Sequence, residues 1–212
     1  MHHMRIQTEA SQAGIFPDVG DKAPAFELPS IQGEQITLAN YQPGHNVILW
    51  FSRGFTCNFC RGYMADLIAG QPALRAAGLE IIQVAPNLYQ TAQDYFRADR
   101  PPFPFICDPD KRLYAVYGLG DAGALVATRN TVVSFAMAFG AGAGPETVRA
   151  SWLDVANRNF VRRLHHHALT AMEQGVFIID RQGTVRYRLT LDALAQIPTA
   201  AEFLEISEAL AL

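Results

Sequence analysis

Residues 47–61 read VILWFSRGFTCNFCR, an apolar run followed at once by two closely spaced cysteines. The run Val47–Phe51 has the length and the branched and aromatic composition of a strand that is buried on both faces. After the cysteines, apolar residues between Met64 and Ile68 have the spacing of one face of a helix. The stretch therefore predicts a central strand that leads into a helix, with both cysteines at the junction.

The rest of the chain supplies further strands and helices around this stretch. The helix after the cysteines is expected to break at Gly70 and Pro72 and to end at Gly78. The other predicted strands cover 79–85, 103–107 and the arms of two hairpins, at 28–38 and 176–189. The other predicted helices cover 88–98 with Asn87 as N-cap, 108–118 and about 200–211. With parallel units early and an antiparallel pair late, this order predicts the α/β class, with a central mixed β-sheet flanked by helices.

Most of the chain is expected to form one domain. Residues 1–20 show no periodicity and contain Gly14, Pro17 and Gly20, so they are interpreted as an irregular N-terminal leader. The domain covers 21–212. Between 119 and 174 the pattern of strands and helices is interrupted, and this segment is interpreted as a mainly helical insertion.

The composition favours a folded protein with a small-molecule partner. Of the 212 residues 50% are hydrophobic and 17% are charged, and the net charge of -3 hides no long run of either sign. These features indicate binding neither to nucleic acid nor to a membrane surface, and the longest apolar run, 131–144, is too short to span a bilayer. Three cysteines without a recognisable secretory signal favour a reducing, cytoplasmic location. No cofactor is expected.

The two cysteines carry the chemistry that the sequence predicts. At a helix N-terminus, unpaired N–H groups and the helix dipole stabilise a thiolate, and Arg53 and Arg61 could add positive charge. A lowered thiol pKa is therefore expected. A thiolate can attack a peroxide oxygen or a disulfide sulfur, and the second thiol can resolve the sulfenic acid or mixed disulfide that results.

Two other interpretations of Cys57 and Cys60 stay open. They could be half of a zinc site, although a second pair is missing and Cys107 would have to fold in beside a histidine. They could also be buried and inert, which is the role expected of Cys107. The consecutive His165–His167 point in different directions on a helix, so they are interpreted as a solvated segment rather than a ligand set.

Several segments resemble one known family. Residues 19–29 read VGDKAPAFELP, and Asp108–Asp110, Val116–Gly118 and Gly175–Gly183 follow at the positions of later landmarks. This pattern is similar to that of the alkyl hydroperoxide reductase and thiol-specific antioxidant (AhpC/TSA) family, the peroxiredoxins, and it covers most of residues 19–190. The resemblance implies a thioredoxin-like fold and a thiol-dependent antioxidant oxidoreductase. It also implies a small hydroperoxide or disulfide substrate, an external thiol reductant of thioredoxin or glutathione type, and a homodimer.

Within that family, the segment Arg53–Arg61 resembles the peroxiredoxin-like branch with a two-cysteine motif. By this resemblance Cys60 takes the peroxidatic place and Cys57 replaces a threonine. Arg53 replaces a proline, and Gln174 stands about where an arginine normally supports the thiolate. The candidate catalytic residues are Cys60, Cys57, Thr56, Arg53 and Arg61.

Thioredoxin-type oxidoreductases offer a competing template for the same motif. In them the first cysteine, here Cys57, would be the exposed nucleophile, and a cis-proline precedes the strand that faces the cysteines. This sequence has Gly175 before Val176 and no proline nearby. A thiol-disulfide oxidoreductase is thus the second hypothesis, and a non-catalytic binding or metal-holding module on the same fold is the third.

Overall fold

The structure is a computed structural model that describes residues 5–6, 16–41, 44–55, 57–120, 172–191 and 196–212. Its strands are β1 (Arg5–Ile6), β2 (Phe26–Pro29), β3 (Gln35–Thr37), β4 (Asn46–Phe51), β5 (Leu79–Ala85), β6 (Phe105–Cys107), β7 (Gln174–Ile179) and β8 (Val185–Leu191). Its α-helices are α1 (Asn58–Ala76), α2 (Tyr89–Tyr95), α3 (Arg112–Val116) and α4 (Ala200–Ala209).

Five strands form the central sheet, in the order β6, β5, β4, β7, β8. Strand β4 runs parallel to β5 and antiparallel to β7, so that Ile48 lies between Ile81 and Ile178. All six residues of β4 are buried, as expected for the central strand. The predicted mixed α/β sheet is therefore confirmed.

A small second sheet joins β1, β2 and β3 in antiparallel pairs. The turn between β2 and β3 contains Gly33 at a positive φ of 99°, which glycine adopts without strain. Strand β1 pairs Arg5 with Glu27, although the sequence gives no strand signal at this point. The predicted hairpin of β2 and β3 is confirmed, with an additional strand on its edge.

The two faces of the central sheet bury separate apolar clusters. Alternate residues of β4 point to opposite faces, so Ile48 and Trp50 join the cluster that also holds both cysteines of the motif. Leu49 and Phe51 join the other cluster. Helices α1 and α4 cover the first face, and α3 contributes to the second. The junction of β4 and α1 thus lies at the edge of a fully packed core.

The expected break in α1 at Gly70 and Pro72 is wrong, because the helix is continuous from Asn58 to Ala76. Gly70 faces α4, where a Cβ would overlap the Cβ of Ala200, so its missing side chain allows two helices to approach closely. Pro72 removes the N–H that would bond to the carbonyl of Ile68. Ile68 and Pro72 are both exposed, so the missing hydrogen bond lies on the side of the helix that water can reach.

The helix after β5 is shorter than expected and is capped differently. Helix α2 ends at Tyr95, and its N-cap is Leu88, which makes no side-chain capping bond. Asn87 is instead buried, with 3% of its surface exposed. The predicted Asn87 cap is therefore wrong, and the amide has another position, described with the site below.

The residues on either side of the segment interpreted as an insertion, Gly120 and Glu173, are hydrogen-bonded to each other. The Gly120 N–H donates to Glu173 Oε2 at 2.8 Å, and the Glu173 N–H donates to the Gly120 carbonyl at 3.1 Å. Gln174 already belongs to β7. Residues 121–171, with the apolar run 131–144 and His165–His167, lie outside the described residues. Within the described ranges, no helix is long and apolar enough to cross a membrane.

Candidate active site

The two cysteines lie at the start of α1, where the chain leaves the central strand. Cys57 is the N-cap of the helix, and its Sγ accepts a hydrogen bond from the Cys60 N–H at 3.5 Å. Cys60 is the third helical residue, which brings both sulfurs to one side of the first turn. Cys57, Cys60 and Cys107 are all in the reduced form. The structure therefore brings the two motif cysteines together as predicted.

Burial shifts the pKa of Cys60 in the direction opposite to that expected from its position at the helix N-terminus. Only 1% of Cys60 is exposed, and burial raises the pKa of its thiol well above the ordinary value. The neighbouring Cys57 raises this pKa further, through a side-chain hydrogen bond and its charge. The expectation of a lowered thiol pKa is wrong for Cys60 in the reduced protein, because the loss of water outweighs the favourable helix end.

Arg53 is the cation that opposes this effect. Its charge and a hydrogen bond from its backbone N–H both lower the pKa of the Cys60 thiol. The side chain is 1% exposed, yet Nε and Nη2 have no hydrogen-bond partner within the described ranges. Buried charged donors without a partner are costly and uncommon in proteins. Among the described residues, Nε and Nη2 of Arg53 are therefore two buried donors that no acceptor satisfies.

Gln174 contacts the same sulfur from the sheet. It is the first residue of β7 and is fully buried, and the Cys60 Sγ donates to its Oε1 at 3.5 Å. An acceptor at this distance favours the protonated thiol over the thiolate. Gln174 thus lies beside the thiol, at about the place where the resemblance implies an arginine, and it supplies a neutral amide.

The loop between β4 and α1 is fixed by buried polar groups. Ser52 Oγ accepts from the Gly54 N–H at 3.2 Å and from Gln83 Nε2 at 2.9 Å, and it donates to the Val84 carbonyl at 3.3 Å. The Tyr114 hydroxyl donates to the carbonyls of Ser52 and Val84. These bonds tie the loop to the ends of neighbouring strands.

Gly54 has a specific role in this loop. Its φ is 84°, in the region that favours glycine, and a Cβ there would overlap the Oδ1 of Asn87. On the other side, the Phe55 ring stacks on Tyr95 with centroids 4.3 Å apart. Asn87 and Tyr95 therefore pack on the loop that carries Arg53, which sequence analysis did not foresee.

The remaining predicted residues contribute less to the described geometry. Arg61 lies in the first turn, where its backbone N–H donates to the Cys57 carbonyl at 3.1 Å, and Arg53 rather than Arg61 is the cation that lowers the Cys60 pKa. Thr56 lies outside the described residues. Burial, followed by the charge of Asp108, raises the pKa of Cys107 to about 12, which agrees with an inert thiol.

Two alternatives can be compared with this geometry. The nucleophile of a thioredoxin-type enzyme was expected to be exposed, but only 6% of Cys57 is exposed. Gly175 precedes Val176 in β7, and the described part of the chain contains no cis peptide bond. For the zinc hypothesis, no cluster of three or more histidine, cysteine or acidic side chains suited to a metal is found among the described residues.

Comparison with known sequences identifies relatives of this chain. The family model described as AhpC/TSA matches residues 19–134. Two proteins of Mycobacterium tuberculosis, from strains CDC 1551 / Oshkosh and ATCC 25618 / H37Rv, carry provisional names as peroxiredoxins. Each is 30% identical to the chain over 99 residues, which is 47% of this chain and 62% of the relative. The chain thus spans less than two thirds of the length of these relatives.

Solved structures show the same architecture. The crystal structure of peroxidoxin BcpB from Mycobacterium tuberculosis has a TM-score of 0.60 at 13% identity, with 91% of this chain and 97% of that chain covered. A protein from Chlorobium tepidum, provisionally named thiol:disulfide interchange protein DsbE, has a TM-score of 0.54 at 19% identity, with 92% and 96% covered. At these identities the likeness shows the fold alone. The predicted thioredoxin-like fold is confirmed.

Proposed function

Because the chain belongs to the AhpC/TSA family, we propose that it is a thiol peroxidase in which Cys60 reduces a small hydroperoxide and Cys57 completes the reaction. The Cys60 thiolate attacks one peroxide oxygen, an S–O bond forms, and the O–O bond breaks. The leaving oxygen takes a proton, so the products are a sulfenic acid and an alcohol or water. The Cys57 thiol then displaces water from the sulfenic acid, and a disulfide forms between the two sulfurs.

The observation that carries this proposal is the buried Arg53 side chain beside the Cys60 thiol. A peroxide that reaches this sulfur brings two oxygen atoms with lone pairs into a site where Nε and Nη2 of Arg53 have no partner among the described residues. Preorganised donors of this kind stabilise charge that develops on a leaving oxygen. The same charge favours the thiolate. Arg53 would thus stabilise both the Cys60 thiolate and the leaving oxygen of the peroxide. Support of the thiolate is the role that the family resemblance gives to an arginine at about the position of Gln174.

Cys57 is well placed to act as the resolving thiol. It shares the first helical turn with Cys60, and the two side chains are hydrogen-bonded to each other. The resulting disulfide would be reduced by an external thiol of thioredoxin or glutathione type, which returns both cysteines to the thiol form. A cytoplasmic location and a homodimer stay predictions.

Counting thiols tests the proposed function directly. One equivalent of hydrogen peroxide is expected to remove two of the three thiols from the protein and to leave Cys107 intact. Mass spectrometry should then find an intramolecular disulfide between Cys57 and Cys60. A Cys107→Ser variant is the matched control, and it should lose both of its remaining thiols. A protein whose thiol count does not change with peroxide is not a thiol peroxidase.

A thiol-disulfide oxidoreductase is the second candidate, since a cysteine at the N-cap, like Cys57, can attack a disulfide. Slow reaction with peroxide, together with fast reduction of a small model disulfide, would favour it. The near-complete burial of Cys57 argues against the docking of a protein disulfide on the resting structure. Bound zinc found by elemental analysis would instead favour the metal-holding module.

The rate of reaction with peroxide is expected to rise with pH. Burial raises the pKa of Cys60, so the thiol is mostly protonated near neutral pH, and only the thiolate reacts. Below that pKa each added pH unit increases the thiolate fraction about tenfold. Stopped-flow measurement of the second-order rate constant between about pH 6 and pH 8 should therefore show a steep increase. A flat profile would mean that the thiolate is already formed and would contradict the effect of burial.

A further inference from the structure

Tyr63 is a residue near the two thiols to which sequence analysis gave no role. It follows Cys60 by three positions in α1, so these two side chains are neighbours on the helix surface. The Tyr63 ring is half-buried and packs against the apolar cluster that contains both cysteines. The cysteines are almost fully buried, whereas the neighbouring Tyr63 ring is partly exposed to solvent.

The Tyr63 hydroxyl differs in its bonding from those of three other buried or partly buried tyrosines. Tyr89, Tyr114 and Tyr117 each donate their hydroxyl to a backbone carbonyl. No hydrogen bond of the Tyr63 hydroxyl is found among the described residues. The proton of this hydroxyl can be donated to an incoming molecule that contacts it.

The charges around Tyr63 connect it with the reacting groups. Burial raises the pKa of its phenol, the charges of Cys60 and Cys57 raise it further, and Arg53 lowers it. The phenol is thus protonated near neutral pH, as a proton donor must be. The same three side chains that the peroxidase reaction uses lie within electrostatic reach of this hydroxyl.

We propose that Tyr63 is the general acid that protonates the oxygen expelled from the hydroperoxide, an inference that rests on the proposed function. As the Cys60 sulfur forms its bond to one oxygen, the O–O electron pair moves to the other oxygen, which leaves as a strong base. The Tyr63 phenol transfers its proton to that oxygen, and the product is a neutral alcohol or water. The phenolate regains a proton from water, which the half-exposed ring can reach.

A Tyr63→Phe variant tests this role when it is combined with oxidants of different leaving groups. Alkoxide and hydroxide are strongly basic and need a proton, so the rate constants with tert-butyl hydroperoxide and with hydrogen peroxide are expected to fall by roughly 10- to 100-fold. Peracetic acid expels acetate, which leaves without a proton, so its rate constant should stay within about threefold of the unmodified protein. Tyr187→Phe is the matched control, since Tyr187 is also partly buried and packs on the same cluster from β8, and it should react as the unmodified protein does.

The other outcomes overturn the proposal. An equal loss with all three oxidants would mean that Tyr63 shapes the site without donating a proton. Unchanged rates with the two hydroperoxides would mean that the phenol takes no part. If the unmodified protein reacts with none of the oxidants, the proposed function itself fails, and the role of Tyr63 fails with it. An unchanged melting temperature of Tyr63→Phe excludes a folding defect as the cause of any loss.

Discussion

Replacing Cys60 with serine is expected to abolish hydroperoxide reduction, with a fall of about 1,000-fold or more in the second-order rate constant. The reason is that the thiolate of Cys60 is the sulfur on which the Arg53 charge and backbone N–H act. A serine hydroxyl does not ionise near neutral pH and cannot replace it. Stopped-flow kinetics with hydrogen peroxide measures the loss.

The Cys57→Ser variant is expected to behave differently. It should react once with peroxide and then stop at a Cys60 sulfenic acid that a dimedone-type reagent traps, because the resolving thiol is missing. Serine is itself a favourable N-cap, so the start of α1 should be preserved. A trapped sulfenic acid on Cys57 in the Cys60→Ser variant would reverse the two roles and would favour the thioredoxin-type reaction.

Replacing Arg53 with methionine is expected to lower the rate constant with peroxide by about 100-fold. The variant loses the charge that lowers the Cys60 pKa, and it loses the unpaired Nε and Nη2 donors. The ultraviolet absorbance of the thiolate should titrate at higher pH in the variant. Arg61→Met is expected to lower this rate constant less than Arg53→Met does, because Arg53 is the cation that acts on the Cys60 pKa.

The same Arg53→Met change is expected to stabilise the fold. A side chain that is 1% exposed and has unpaired charged donors weakens the folded state, and an apolar side chain of similar length removes that cost. We expect the free energy of unfolding to increase by about 1–3 kcal/mol, measured by urea denaturation. A variant that loses both activity and stability would show that Arg53 is mainly a structural residue.

The sequence predicted the elements whose signal is local. The continuous apolar run of β4, the run of β5 and the hairpin of β7 and β8 all fall where their composition placed them. The predicted break in α1 was wrong because glycine and proline each destabilise an average helix, and Gly70 and Pro72 were given that usual effect. What decides their effect is Ala200 opposite Gly70 and the exposed side of the helix at Pro72. Neither fact is contained in residues near α1.

The position of the two cysteines was predictable from the sequence, but the pKa of Cys60 was not. The spacing of Cys57 and Cys60 behind an apolar strand indicated the first turn of a helix, and the structure has them there. The pKa of Cys60 depends on how completely the surrounding chain excludes water, and that chain includes Gln174 from β7. Asn87 was predicted to cap a helix because asparagine is a favoured N-cap residue. Local sequence cannot show that its amide instead packs against Gly54.

The position of β7 beside β4 has a consequence for how the protein is made. Leu49 pairs with Phe177, and the Asp66 carboxylate on α1 accepts a hydrogen bond from the Ala200 N–H at the start of α4 at 2.8 Å. The ribosome releases β4 and α1 long before either partner has been synthesised. Until β7 has been synthesised, the Cys60 thiol lacks the Gln174 acceptor that favours its protonated form. Contacts between residues so distant in sequence, such as Leu49 with Phe177, slow the folding of the protein.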